Sequence, residues 1–337
     1  MTANRMYKAA GISFSLLVFV FAGMVFVLRG LTEPASPKSL MVTVEIKNGM
    51  STSKIAALLK EKGAIRSSLA FVILTKLGAK SDKLKAGDYE IDSGNDAQTI
   101  LARIVEGKSV LRMVTIPEGL TLAQIARLLS AKGICDESLF IKAASRSDLL
   151  VPYGIPGRNA EGYLMPETYG FRRDVSADEI VGKMVALFFS KTRSLVEKFS
   201  GASNLSLHQI LTLASIIQKE AASYNEMPLV SAVFHNRLRI GMPLQADPTV
   251  IYANPEYDGA IHKKDLSIDS PYNTYKHRGL PPGPIANPGL EAISAAYSPA
   301  QAEFLYFVAM GGGKGHYFSS TLDEHNRAVR KFILNRS

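Results

Sequence analysis

Seven residues of this chain recur at a fixed offset of 70: Gly49, Ile55, Ala56, Leu58, Leu59, Lys62 and Gly63 return as Gly119, Ile125, Ala126, Leu128, Leu129, Lys132 and Gly133. Before each leading glycine stands a short alternating stretch, Val42 to Ile46 and Met113 to Ile116, with the period of a strand. After it comes a polar N-cap position, Ser51 or Thr121, then an apolar pattern of helical period closed by glycine. Each copy therefore reads as strand, turn, helix, and repetition shows that one packing solution was used twice. Between the copies, Asp88 to Ile91 reads as a strand. Ala97 to Glu106 reads as a helix that turns Ile100, Leu101 and Ile104 inward.

Residues Ala9 to Leu28 are uncharged and mostly apolar, long enough for one helix across ~30 Å of hydrocarbon. Arg5 and Lys8 precede the run, which favours an N-terminus on the cytoplasmic side. A cleavable signal peptide is the competing reading, but the run is long for one and no A-x-A site follows. The expected order is a cytoplasmic tail 1–8, a membrane helix 9–29, a linker 30–40, a membrane-proximal region 41–157 with repeat copies near 42–71 and 112–141, and a second lobe 158–335. The fold class expected is α+β. Everything after the span is then extracytoplasmic, attached to an inner (plasma) membrane by a single pass.

The 337 residues are 47% hydrophobic with a formal net charge of +9. They can fill two or three cores, and their charge suits an anionic partner surface. No Lys/Arg block with interleaved aromatics appears, which argues against nucleic acid. The single cysteine, Cys135, excludes an internal disulfide. The histidines lack metal-ligand spacing, so no metal and no cofactor are expected.

Chemistry concentrates between Ser206 and Tyr252. Ser206 with Gln209 forms a capping box, and Ile210, Leu213, Ala214 and Ile217 mark the buried face of the helix it starts. Glu220 lies about 60° round from that face, close to the helix end. Partial burial and the negative end of the helix dipole both raise a carboxyl pKa, as a general acid requires. A second helix follows from Met227 to Arg239, closed by Gly241. Val175 to Phe199 reads as a further helix, upstream of both.

In EGYLMPETY (Glu161–Tyr169), LASIIQKE (Leu213–Glu220), VFHNRL (Val233–Leu238), LQADPTVIY (Leu244–Tyr252), SPYNTY (Ser270–Tyr275), GLPPGPIANPG (Gly279–Gly289), LYFVA (Leu305–Ala309) and the Gly315-His316 pair, the chain resembles the YceG/MltG family of endolytic murein transglycosylases. The resemblance covers about Val42 to Phe332. It implies a LysM-like membrane-proximal lobe and a mixed α+β catalytic lobe. The implied activity is cleavage of the N-acetylmuramic acid–N-acetylglucosamine bond within glycan strands, giving 1,6-anhydromuramyl ends. Peptidoglycan is the implied partner, with cell-wall synthesis enzymes as further partners. Relatives carry two acids in the helix and a following threonine, where this chain has Gln218, Glu220 and Ala221; the acid is then Glu220, because an amide donates no proton at neutral pH.

Around it the expected supporting set is Glu161, Arg237, Gln245, Asp247, Tyr272, Asn273, Tyr275 and His316. Gln245 and Asp247 are expected to bracket a turn ahead of Pro248, Arg237 to buttress a carboxylate such as Asp247, and the loop Gly279 to Gly289 to wall the cleft. A water-using muramidase with Asp247 or Glu161 as second carboxylate is one alternative. A membrane-anchored, wall-binding scaffold without catalysis is the other.

Overall fold

The computed structural model describes residues 29–199 and 203–334, together with 22, 23, 25 and 27. The expected tail 1–8 and most of the expected span 9–29 lie outside the described residues. Among the described residues no helix is long and apolar enough to cross a membrane.

By packing, the chain divides into two compact units. The first holds the described residues up to Arg112 together with Gly170–Asp174. In it, β1 (Met41–Ile46), α1 (Thr52–Glu61), α2 (Ser68–Leu77) and β2 (Gly87–Asp92) are followed by α3 (Ala97–Glu106). β1 and β2 pair antiparallel, Val44 opposite Tyr89. Val44, Tyr89, Ile55, Leu59, Phe71 and Ile104 meet in one core. Ser51 caps α1 by accepting from the Lys54 N–H, as its position predicts.

The second unit holds Met113–Tyr169 and everything described from Val175 onward. It receives most of the second copy of the repeat: β3 (Arg112–Thr115) from Met113 on, α4 (Leu122–Ala131), α5 (Glu137–Ala144) and, after a long connection, the start of β4 (Thr168–Phe171), the strand paired with β3. Thr121 caps α4 in a full capping box with Gln124. The repeat thus extends to a second helix and a closing strand whose residues do not recur in sequence. Packing separates the two copies, so the 112–141 copy shares a compact unit with Glu220 rather than with the first copy. Gly49 and Gly119 take φ of 79° and 76° at the same turn, a conformation that disfavours a Cβ. That is why glycine stands at both.

The rest of the second unit is mainly helical. α6 (Ala177–Lys198) starts in a Ser176/Glu179 capping box. α7 (Leu207–Glu220) follows, then α8 (Met227–Arg239) and α9 (Asp247–Ala253). α10 (Leu290–Tyr297), the hairpin β5 (Tyr306–Ala309) and β6 (His316–Ser319), and α11 (Leu322–Val329) complete it. α7 is buried at every position from Ile210 to Ile217, wider than the single face read from its periodicity. A helix apolar all round belongs in the interior, and α8, α9 and α10 pack about it. Ser231 of α8 donates to the Ala295 carbonyl of α10 at 2.7 Å, which pins the two helices across a buried face.

Candidate active site

Glu220 is the last residue of α7, where the helix dipole is negative. Its half-buried carboxyl lines an open cleft of about 460 Å³ with Arg237, Gln245, Asp247 and Tyr275. Burial pushes its pKa from the ordinary carboxyl value to about 7, and the negative charge of Asp247 adds to the rise. The Arg237 charge and the Asp247 backbone N–H pull the other way. The carboxyl is therefore divided between acid and carboxylate near neutral pH, the condition under which one group can give a proton and take one back.

Arg237 is buried on α8, with Nε on the Leu305 carbonyl at 2.7 Å and Nη1 on the Leu244 carbonyl at 2.5 Å. Its guanidinium lies 5.5 Å from the Tyr306 ring centroid. The carboxylate that acts on its charge is Glu220, so the carboxylate expected beside Arg237 is the acid itself rather than Asp247. Two backbone carbonyls hold the guanidinium in place, and a fixed buried cation beside a titrating carboxyl limits how far its pKa can climb.

Asp247 opens α9 rather than a plain turn. Proline in the first helical turn loses no helical hydrogen bond, and an acid there meets the positive end of the dipole. Gln245, two residues earlier, has φ of 48°, in the left-handed region that an L side chain adopts at a cost. Its N–H donates to the Thr274 carbonyl, and the next amide, Ala246, donates to Thr274 Oγ1. The segment 245–247 is thereby fixed against the 273–275 loop with the Gln245 side chain exposed at the cleft.

Four of the expected supporting residues do not line this cleft. Glu161 is buried, with both oxygens accepting the Leu122 N–H at the start of α4 and one accepting the Asn287 amide at 2.9 Å. Burial lifts its pKa to about 7 as well, against the pull of these bonds and of the Tyr252 phenol. Tyr272 packs on Tyr252, ring centroids 4.9 Å apart, beside Glu161. Asn273 is fully buried: its amide donates to the Leu266 and Ile268 carbonyls and its oxygen takes the Tyr275 N–H. His316 pairs with Glu226 at 2.9 Å and stands edge-on to Phe307. Each is a polar or aromatic group in a matched segment, yet each satisfies a neighbour inside the fold.

The loop Gly279 to Gly289 is likewise a buried strut, not a cleft wall. Its Asn287 receives the Gly162 and Leu164 N–H groups and donates to the Leu120 carbonyl and to Glu161. A Cβ on Gly162 would stand 2.4 Å from Pro284, so glycine is required where the two segments cross. Gln218 accepts the N–H of Gly289, the residue before α10, at 2.9 Å. It does not line the cleft.

The remaining wall lies outside the expected supporting set: Tyr306 and Phe307 from β5, within the matched LYFVA segment, and Leu322, His325 and Asn326 from α11, which no matched segment contains. The signal available was the Thr321/Glu324 capping box, which starts a helix with Leu322, His325 and Asn326 on one face.

Fold and cleft together define an α+β protein with a carboxyl of raised pKa in an open, polar cleft. The YceG-like family model matches residues 44–331, and this chain belongs to the YceG-like family. It is 36% identical to the endolytic murein transglycosylase of Bacillus subtilis (strain 168), over 92% of this chain and 90% of that protein. It is 30% identical to the endolytic murein transglycosylase of Streptococcus pneumoniae (strain ATCC BAA-255 / R6), over 98% of this chain and 66% of that protein. The crystal structure of the YceG-like protein lmo1499 from Listeria monocytogenes superposes with a TM-score of 0.58 at 37% identity, covering 85% of this chain and 98% of that one.

Proposed function

We propose that this chain is an endolytic lytic transglycosylase of peptidoglycan, with Glu220 as its acid and base. The observation that carries the reading is a single carboxyl with its pKa near 7 in an open cleft. The curated relatives, named endolytic murein transglycosylases at 30–36% identity, support the substrate. Glu220 protonates the glycosidic oxygen between N-acetylmuramic acid and N-acetylglucosamine as the C1–O bond breaks. The carboxylate left behind takes the proton of the muramyl 6-hydroxyl, whose oxygen bonds to C1. The product is a 1,6-anhydromuramyl end, water is not consumed, and Glu220 is again protonated. Gln245, Asp247 and Tyr275 orient the sugar, which counts only if its geometry is held close to that of attack. Arg237 fixes the carboxyl electrostatically.

Mass spectrometry of products from intact glycan strands, with wild type beside Glu220→Gln, tests this. Anhydro ends with wild type and none with the variant are expected. Products heavier by one water would instead make it a muramidase with Asp247 as second carboxylate. Retained strand binding without cleavage would make it a scaffold.

In the same reading the apolar run 9–29 anchors the chain in the inner membrane with its N-terminus cytoplasmic. The strand–helix–helix–strand unit built from β1 to β2 acts as the LysM-like, membrane-proximal lobe. The cleft then meets nascent strands outside the cytoplasm, where it trims or terminates them beside cell-wall synthesis enzymes. Protease added to intact spheroplasts should degrade the Glu220 region and spare an N-terminal tag; protection of the Glu220 region would reverse the topology.

A further inference from the structure

α11 sends Leu322, His325 and Asn326 to the Glu220 cleft from one helical face. His325 is held with care. Its ring stacks on Tyr306, centroids 5.2 Å apart and planes inclined by 24°, and Tyr306 in turn faces the Arg237 guanidinium. Nδ1 of His325 is buried and has no hydrogen-bond partner.

A neutral imidazole carries one N–H, and a buried N–H without an acceptor is rarer in folded proteins than a buried acceptor without a donor. That preference puts the proton on Nε2 of a side chain that lines the cleft. Burial, and then the Arg237 charge, hold the His325 pKa below its ordinary value, so the ring stays uncharged at neutral pH. Neutrality matters to the chemistry next to it. The charged groups of this cleft are Glu220, Asp247 and Arg237, and a second cation would favour the ionised form of Glu220 and deplete the acid. A neutral donor adds a directed hydrogen bond without that effect.

We propose that His325 contacts the substrate, its Nε2–H donating to an uncharged oxygen, hydroxyl or acetamido carbonyl, of the N-acetylated sugar bound beside Glu220. The proposal rests on the transglycosylase reading for the identity of the sugar.

Two variants of the full chain separate contact from packing. His325→Phe keeps a ring for Tyr306 to stack on and removes both nitrogens; His325→Gln returns an amide N–H close to the Nε2 position. Expected are a roughly tenfold or greater loss of kcat/KM in His325→Phe, recovery of most of it in His325→Gln, and an unchanged Tm in both. Nitrogen-resolved NMR of the imidazole should find the Nε2-protonated tautomer, with that signal shifting when glycan strands are added to Glu220→Gln protein. Full activity in His325→Phe, a glutamine variant no better than the phenylalanine one, or a proton on Nδ1 would overturn the contact. Strand binding measured in the Glu220→Gln background keeps the two readings apart. Weaker binding on adding His325→Phe sustains the contact even if wild type yields no anhydro product, an outcome that defeats only the activity. Unchanged binding defeats the contact.

Discussion

The phenol of Tyr275 donates a 2.6 Å hydrogen bond to Oδ1 of Asp247. That bond ties the 270–275 loop to the first residue of α9 at the edge of the Glu220 cleft. Buried Asn273 sets its geometry at one remove by accepting the Tyr275 N–H. Asp247 is thus held where its charge bears on Glu220, next after burial in raising the Glu220 pKa.

Removing that charge has a definite sign. Chemistry that begins with protonated Glu220 falls off as pH rises through about 7. In Asp247→Asn the repulsion is gone, the Glu220 pKa drops toward the ordinary carboxyl value, and the alkaline limb of the pH–rate profile moves to lower pH. A limb that stays in place would separate Asp247 from the acid.

Glu220→Gln should lose about 10²–10⁴-fold in kcat yet fold at least as well as wild type. The folded pKa of Glu220 lies above the unfolded one, so its contribution is most favourable below the ordinary carboxyl range and is lost as pH rises through about 7. Buried Glu161 carries the same sign over the same window. Wild-type stability should therefore fall between about pH 4.5 and pH 7. The variant should be more stable than wild type at pH 8 by on the order of 1–3 kcal/mol, with less difference at pH 4. Denaturant melts at the two pH values check this.

Gln245→Gly separates strain from contact. Glycine accepts the φ of 48° at no steric cost, so the variant should be more stable by up to about 1 kcal/mol. Because the exposed side chain at the cleft is lost, kcat/KM should fall. Calorimetry beside steady-state kinetics reads both; a more stable variant with full activity would take Gln245 out of the site.

Gln218→Glu should leave activity within a few-fold of wild type, because a carboxylate offers the Gly289 N–H the same kind of acceptor and the side chain does not line the cleft. Gln218→Ala leaves the Gly289 N–H without that acceptor and should cost about 1 kcal/mol. The difference is read as a shift in denaturation midpoint.

Much of the local structure was legible because its causes are local. The Ser206/Gln209 capping box and the apolar spacing behind it set α7 and put Glu220 at its end. The extent of α8 and the N-caps of both repeat copies followed in the same way. α9 escaped notice because Asp247-Pro248 reads equally as a turn and as a helix start. The supporting set divided for a different reason. Gln245, Asp247 and Tyr275 reach the cleft, whereas Glu161 and His316 face partners far away in sequence, Leu122 and Asn287 for the one and Glu226 for the other, and Asn273 turns back onto Leu266 and Ile268 of its own loop.

By itself the sequence determined the α+β character, the reused strand–helix unit and the acid at the close of a buried helix, since helical period, capping and turn chemistry act over a few residues. Only the tertiary structure decided which polar groups Glu220 meets. Burial of a carboxyl, the charge of Asp247 beside it and the ring of His325 come from chain segments brought together by packing, and desolvation and Coulomb repulsion depend on distance in space, not along the chain.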